Sequence, residues 1–182
     1  MMANPSDSPK IETIFSGAEI AQRIEVLAGE IAARKLDRLL VVAILKGSFV
    51  FAADLIRGLH KAGLSPEVDF ISLSSYRDAM RSSGQVKILR DLETDVRDRN
   101  VLLIDDILES GRTLAFAKDL MAARGAREIV TCVLLDKPVE RGVSIKADHK
   151  AFDCPNVFVV GYGMDLAHRF RELPFVGRLI QP

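Results

Sequence analysis

Two adjacent aspartates, Asp105 and Asp106, stand at the end of the apolar run Val101–Ile104. Ile107, Leu108, Glu109, Ser110, Gly111, Arg112 and Thr113 follow them, and a helical pattern begins at Thr113. Each residue type has a use. Gly111 allows a ligand close to the backbone. The hydroxyls of Ser110 and Thr113 donate hydrogen bonds, and Ser110 can also cap the helix. The open backbone N–H groups at the helix start form an anion site. That set suits a phosphate monoester. The carboxylates of Asp105 and Asp106 would repel a phosphate, but they suit the two hydroxyls of a ribose or a hard cation such as Mg²⁺. The segment Val101–Thr113 therefore predicts a binding site for a 5-phosphorylated ribose. Two plainer readings stand beside it. One is a strand–turn–helix with an ordinary cap. The other is a Walker B strand, which would need GxxxxGK[ST] upstream, and the sequence contains none.

The elements that must hold this segment alternate along the chain. Ile20–Lys35 carries Ile20, Ile24, Leu27 and Ile31 at helical spacing. Leu39–Leu45 is a short unbroken apolar run, as in a strand buried on both faces. Lys46-Gly47-Ser48 interrupts it, and Phe49–Lys61 returns to a helical period. Val68–Ser74 alternates as a strand, Tyr76–Gln85 reads as a polar mobile loop, and Val86–Arg90 as a short returning strand. Val101–Ile104 is a further buried strand, and Thr113–Arg124 a helix closed by Gly125. Ile129–Leu135 and Val157–Val160 complete the strands. This order predicts an α/β fold with a central, mostly parallel sheet flanked by helices. Ligands of such sheets bind at the carboxyl ends of the strands beside a topological switch point. The places to look are just after Leu45, Ser74, Ile104, Leu135 and Val160.

Bulk properties narrow the partners. The chain has 182 residues, enough for one domain, with residues 1–10 read as a disordered tail. Twenty-five basic and twenty-five acidic residues cancel, which gives no electrostatic reason to expect nucleic acid or an anionic membrane. Cys132 and Cys154 form no CxxC pair, and His60, His149 and His168 share no metal-ligand spacing. Reduced thiols and surface histidines are the expectation. The first residues lack the apolar core of a signal peptide, and no apolar run reaches the ~18 residues of a membrane helix. A cytoplasmic protein is expected.

The stretch Val101–Leu114 resembles the phosphoribosyl-diphosphate (PRPP) signature of the type I phosphoribosyltransferases. Four further motifs make the chain similar to their hypoxanthine-guanine branch, and together the matches run from about Val41 to Arg171. They are Leu45-Lys46-Gly47-Ser48, Ser74-Ser75-Tyr76, Leu135-Asp136-Lys137-Pro138 and Phe158-Val159-Val160-Gly161-Tyr162-Gly163-Met164-Asp165. The resemblance implies that fold, with a small hood built from the N- and C-terminal segments, and a homodimer or homotetramer. It implies that Lys46 and Gly47, after a cis peptide bond, receive a diphosphate, and that Arg171 reaches it as it departs. Asp105, Asp106, Ile107, Leu108, Glu109, Ser110, Gly111, Arg112 and Thr113 would bind the phosphoribosyl part of PRPP. Ser75 and Tyr76 would begin a loop that closes over the reaction. Lys137 would donate to O6 of a 6-oxopurine, Phe158 would stack on the ring, and the Val159 backbone would meet the base edge. A lysine only donates, so a carbonyl at that position suits it better than the amino group of adenine. Mg²⁺ is the implied cofactor, with Asp165 and Asp105 as candidate ligands.

The implied reaction is purine salvage: the 5-phosphoribosyl group passes from PRPP to N9 of hypoxanthine or guanine, giving a nucleoside monophosphate and diphosphate. Glu109 is a departure. The family usually has aspartate there, near N7 of the base, credited with general-base help. Asp105 likewise replaces a common glutamate. Two other readings remain at this stage. One is a non-catalytic nucleotide- or RNA-binding regulator on the same scaffold. The other is an enzyme for another acceptor, such as xanthine or a pyrimidine.

Overall fold

The computed structural model describes residues 10–75 and 86–180. Its centre is a six-stranded sheet in the order β4-β3-β2-β5-β6-β7. The strands are β2 (Leu39–Leu45), β3 (Glu67–Ser75), β4 (Val86–Arg90), β5 (Asn100–Leu108), β6 (Glu128–Asp136) and β7 (His149–Asp153). All neighbours run parallel except β3 and β4. The α/β expectation holds. Strand periodicity explains why the central strands read as unbroken apolar runs. In β2, Leu39, Val41 and Ala43 enter the core under α1 (Gly17–Ala33) and α2 (Phe49–Lys61). Leu40, Val42 and Ile44 enter the opposite core, under α3 (Arg112–Ala123). Successive side chains point to opposite faces, so a strand covered on both sides needs apolar residues at every position.

The edges of elements moved for local reasons. The first helix begins earlier than its apolar period, because Ser16 and Glu19 form a capping box: Glu19 N–H donates to Ser16 Oγ at 3.3 Å, and Ser16 N–H donates to Glu19 Oε2 at 2.8 Å. Strand β5 runs on through Asp105, Asp106 and Ile107 to Leu108, because its ladder to β6 continues to the pair Leu108–Asp136. Gly125, at φ 86°, ends α3 as expected. The loop expected over Tyr76–Gln85 lies outside the described residues.

Residues Val159–Val160 are a correction. They form β8 of a second, antiparallel sheet with β1 (Lys10–Phe15) and β9 (Val176–Ile180), in the order β1-β9-β8. They do not join the parallel sheet, since Gly161 and Tyr162, both at positive φ, turn the chain at once. This small sheet is the hood that the resemblance implied. Lys10, assigned to the tail, begins its first strand.

Candidate active site

The chain leaves β2 through α2 to β3 on one side, and leaves β5 through α3 to β6 on the other. The switch point therefore lies between the carboxyl ends of β2 and β5, where ligands of such sheets bind. An open cleft of about 640 Å³ lies there, bounded also by β3, β6 and the hood. Leu45, Lys46, Gly47, Asp106, Ile107 and Glu109 line its sheet side, with Lys137, Phe158, Val159, Asp165 and Arg171 around them.

Close approach of chain segments builds the end of the cleft at Lys46 and Gly47. The Leu45–Lys46 peptide is cis, as the resemblance implied. A Cβ on Gly47 would lie 1.9 Å from Asp106 Oδ2, and a Cβ on Gly163 would lie 2.4 Å from the Gly47 carbonyl oxygen. Gly163, at positive φ and against backbone, has no room for a side chain, whereas a side chain at 47 would force the Asp106 carboxylate of β5 or the turn after β2 to move. Ser48 closes the first of these loops, its buried hydroxyl donating to the Ile44 carbonyl at 2.6 Å.

Charge is distributed unevenly across the cleft. Asp105 is buried, and burial together with the neighbouring Asp106 charge pushes its carboxyl well above the usual aspartate range. Burial also raises Asp106, against its backbone hydrogen bonds and the charge of Arg171. Of the two, Asp106 reaches the cleft, while Asp105 Oδ1 accepts from the Asp106 N–H at 3.0 Å. Across the cleft Arg171 donates to the Gly163 carbonyl at 2.6 Å and pairs with Asp165 at 2.9 Å. The other Asp165 oxygen accepts from the His168 N–H at 2.7 Å.

The other end of the cleft is set by two side chains just past the ends of adjacent strands β5 and β6. Lys137, at the end of β6, is only 5% exposed, and its Nζ lies 3.3 Å from Glu109 Oε1. Beside them Phe158 presents an apolar ring to the opening, 48% exposed. That exposure leaves the ring open to the cleft and not packed in the core. Val159 is buried and lends its backbone to the wall.

Other anticipated residues sit elsewhere. The Leu108 side chain is buried in the core beneath α3, so only its backbone faces the ends of the strands. Ser110, Gly111, Arg112 and Thr113 form the turn into α3 beyond the cleft wall. The helix N-cap is Gly111, in the left-handed region, and Ser110 Oγ accepts from the Arg112 N–H at 3.4 Å. Ser75 is the last residue of β3, and Tyr76 lies outside the described residues. Sequence reasoning gave no place to Ser72, Leu73, Leu89 and Met164 on the cleft wall. It missed Arg141 altogether. His168 is exposed, as expected, but on the rim of the cleft.

This fold and cleft define a class of enzyme. A phosphoribosyl transferase domain matches residues 10–166. The hypoxanthine phosphoribosyltransferase of Escherichia coli (strain K12) is 40% identical, over 93% of this chain and 96% of that protein. The hypoxanthine-guanine phosphoribosyltransferase of Bacillus subtilis (strain 168) is 41% identical, with 92% of each chain covered. A crystal structure of the Bacillus anthracis hypoxanthine-guanine phosphoribosyltransferase superposes with a TM-score of 0.86 at 38% identity, covering 95% of this chain and all of that one. The chain belongs to the hypoxanthine-guanine phosphoribosyltransferase family. Among the described residues, no helix is long and apolar enough to cross a membrane.

Proposed function

We propose that the protein transfers the 5-phosphoribosyl group of PRPP to N9 of hypoxanthine or guanine, releasing diphosphate. One observation carries the reading: the Lys137–Glu109 pair stands in the same cleft as the Lys46–Gly47 turn and Asp106. A base with a carbonyl at C6 and a proton at N7 matches that pair, because the ammonium donates to O6 and the carboxylate accepts from N7–H. Phe158 stacks on the ring, and the Val159 backbone meets its edge.

In the reaction the N9 lone pair forms the bond to ribose C1′. The bond from C1′ to the diphosphate oxygen breaks, and its electron pair leaves with the diphosphate. The N7 proton passes to Glu109. Lys46, the backbone at Gly47 and Arg171 hold the leaving group, whose negative charge grows in the transition state. Asp106 holds the ribose hydroxyls, its backbone N–H held by the buried Asp105 behind it, and the turn Ser110–Thr113 with the start of α3 holds the 5-phosphate. Ile107 and Leu108 carry the backbone between these two groups. The loop begun by Ser75 and Tyr76 excludes water from a sugar centre that hydrolyses easily.

Mg²⁺ fits these residues. It keeps several waters and commonly uses one or two carboxylates with substrate phosphates. No cluster of three metal-ligating side chains exists among the described residues, and the cleft offers the separate carboxylates of Asp165 and Asp106, the donor set of an ion carried in by the substrate; Asp105, expected as a ligand, is buried behind Asp106 and does not line the cleft. When bound, it supplies charge neutralisation at the diphosphate.

The test is nucleotide formation from PRPP and Mg²⁺ with hypoxanthine, guanine, xanthine, adenine and uracil. Hypoxanthine or guanine is expected to be the best acceptor. No nucleotide from any base rejects the enzyme reading and leaves the ligand-binding regulator. Adenine as best acceptor rejects the role given to Lys137.

A further inference from the structure

Arg141 lies past the end of β6 and is not on the cleft wall. Its guanidinium, with a side chain only 16% exposed, meets the strand ends that carry both base-reading residues. Nε donates to the Glu109 carbonyl at 3.1 Å, and Nη2 donates to the Lys137 carbonyl at 2.9 Å and the Leu108 carbonyl at 3.4 Å. Nη2 also pairs with the carboxylate of Asp136, and Nη1 donates to the Ile145 carbonyl at 3.3 Å. Asp136 is held on its other oxygen by Lys150 at 3.4 Å.

Here the backbone has run out of sheet partners. The last bond between these strand ends is Lys137 N–H to the Leu108 carbonyl, at 3.0 Å. Beyond it the Lys137 carbonyl accepts from the nearby Val139 N–H, at 2.9 Å, and a carbonyl oxygen has a second lone pair to satisfy. A planar guanidinium offers five N–H groups in a fixed fork, and so ties several carbonyls at set distances.

We propose that Arg141 is a positioning residue for base recognition: by clamping the backbones of Glu109 and Lys137 together, it sets the separation of the carboxylate and ammonium that read N7 and O6. This rests on the base site described above. A lysine at 141 keeps the charge opposite Asp136 but loses the fork, so Arg141→Lys isolates geometry from charge. The expected result is a rise in KM for hypoxanthine and guanine of about tenfold or more, with the KM for PRPP changed by less than about threefold, since small misplacements near the reacting atoms cost one to two decades. Discrimination between hypoxanthine and adenine should fall, because a loosened Lys137 reads O6 less strictly. Arg141→Ala supplies the second measurement: ethylguanidinium added to it should restore the lower KM for base, which a general loss of folding would not allow.

Wild-type KM values for both bases in Arg141→Lys would overturn the proposal. Base and PRPP KM values rising in parallel, or no rescue of Arg141→Ala by ethylguanidinium, would overturn it as well. The unaltered protein is measured in the same assay. If it makes no nucleotide, the functional reading itself fails and takes this inference with it, whereas an active wild type with an indifferent Arg141 rejects Arg141 alone.

Discussion

Glu109 carries the chemistry most particular to this chain. Its backbone is fixed from behind by Arg141, and its carboxylate meets Lys137 in front. The extra methylene relative to aspartate extends the carboxylate from β5 toward the ammonium at the end of β6. If Glu109 accepts the N7 proton, Glu109→Gln keeps the shape and removes the base. Turnover of that variant should fall by about a hundredfold or more, the usual scale of general-base help. Glu109→Asp keeps the carboxylate but draws it back from Lys137, and should stay within about tenfold of wild type in kcat. Steady-state rates with hypoxanthine and saturating PRPP decide the matter. A glutamine variant that turns over like wild type removes Glu109 from the proton transfer.

At the scale of elements, the cleft forms where the loops after β2 and β8 close on each other and on strand β5. Gly47, after β2, lies against the Asp106 carboxylate of β5, and Gly163, after β8, lies against the Gly47 carbonyl. A methyl group at position 47 would overlap Asp106, so either the carboxylate or the β2 turn has to move. For Gly47→Ala the expected outcome is a fall of about a hundredfold in kcat/KM for PRPP, with far-UV circular dichroism unchanged. Wild-type kcat/KM in that variant would mean that the two loops need not approach so closely. Much of this arrangement was legible beforehand. Leu39–Leu45 and Phe49–Lys61 are bounded as expected, since unbroken apolar runs and helical periods record burial directly. Asp105 and Asp106 stood out by their chemistry at a strand end, whereas Lys137, Phe158 and Asp165 were singled out by the resemblance of their motifs. Arg141 was not, because it acts on carbonyl groups, which every residue has and no sequence pattern marks. Strand β7 escaped notice because His149, Lys150 and Asp153 give it a polar edge strand's composition. Strand β9 escaped because Gly177 and Arg178 break its apolar run.

The molecule as a whole joins the parallel sheet to an antiparallel hood, and long connections must be held against both. Asp69, on β3, holds one of them. Its Oδ2 accepts from the backbone N–H groups of Glu93 at 2.9 Å and Thr94 at 2.8 Å, and its Oδ1 accepts from the Phe70 N–H at 2.7 Å. Glu93 and Thr94 belong to the connection from β4 to β5, the strand that carries Asp105 and Asp106 and leads into Glu109. Partial burial works to raise the Asp69 carboxyl, but the three backbone donors prevail and hold it below its ordinary value of 3.8. A carboxylate lowered in the folded state contributes stability that is present above that ordinary value and is lost as pH falls through the folded one. Asp69→Asn removes the charge and puts an NH₂ group where one acceptor stood, leaving a backbone donor opposed. The variant should lose roughly 1–3 kcal/mol at pH 7, the scale of hydrogen bonds to a charged group. Because asparagine does not titrate, the deficit should shrink as the pH falls below 3.8, where wild type loses the same contribution. Urea unfolding of both proteins at pH 7 and pH 3 measures it, and a deficit equal at the two pH values would show that the Asp69 charge contributes nothing to holding this connection.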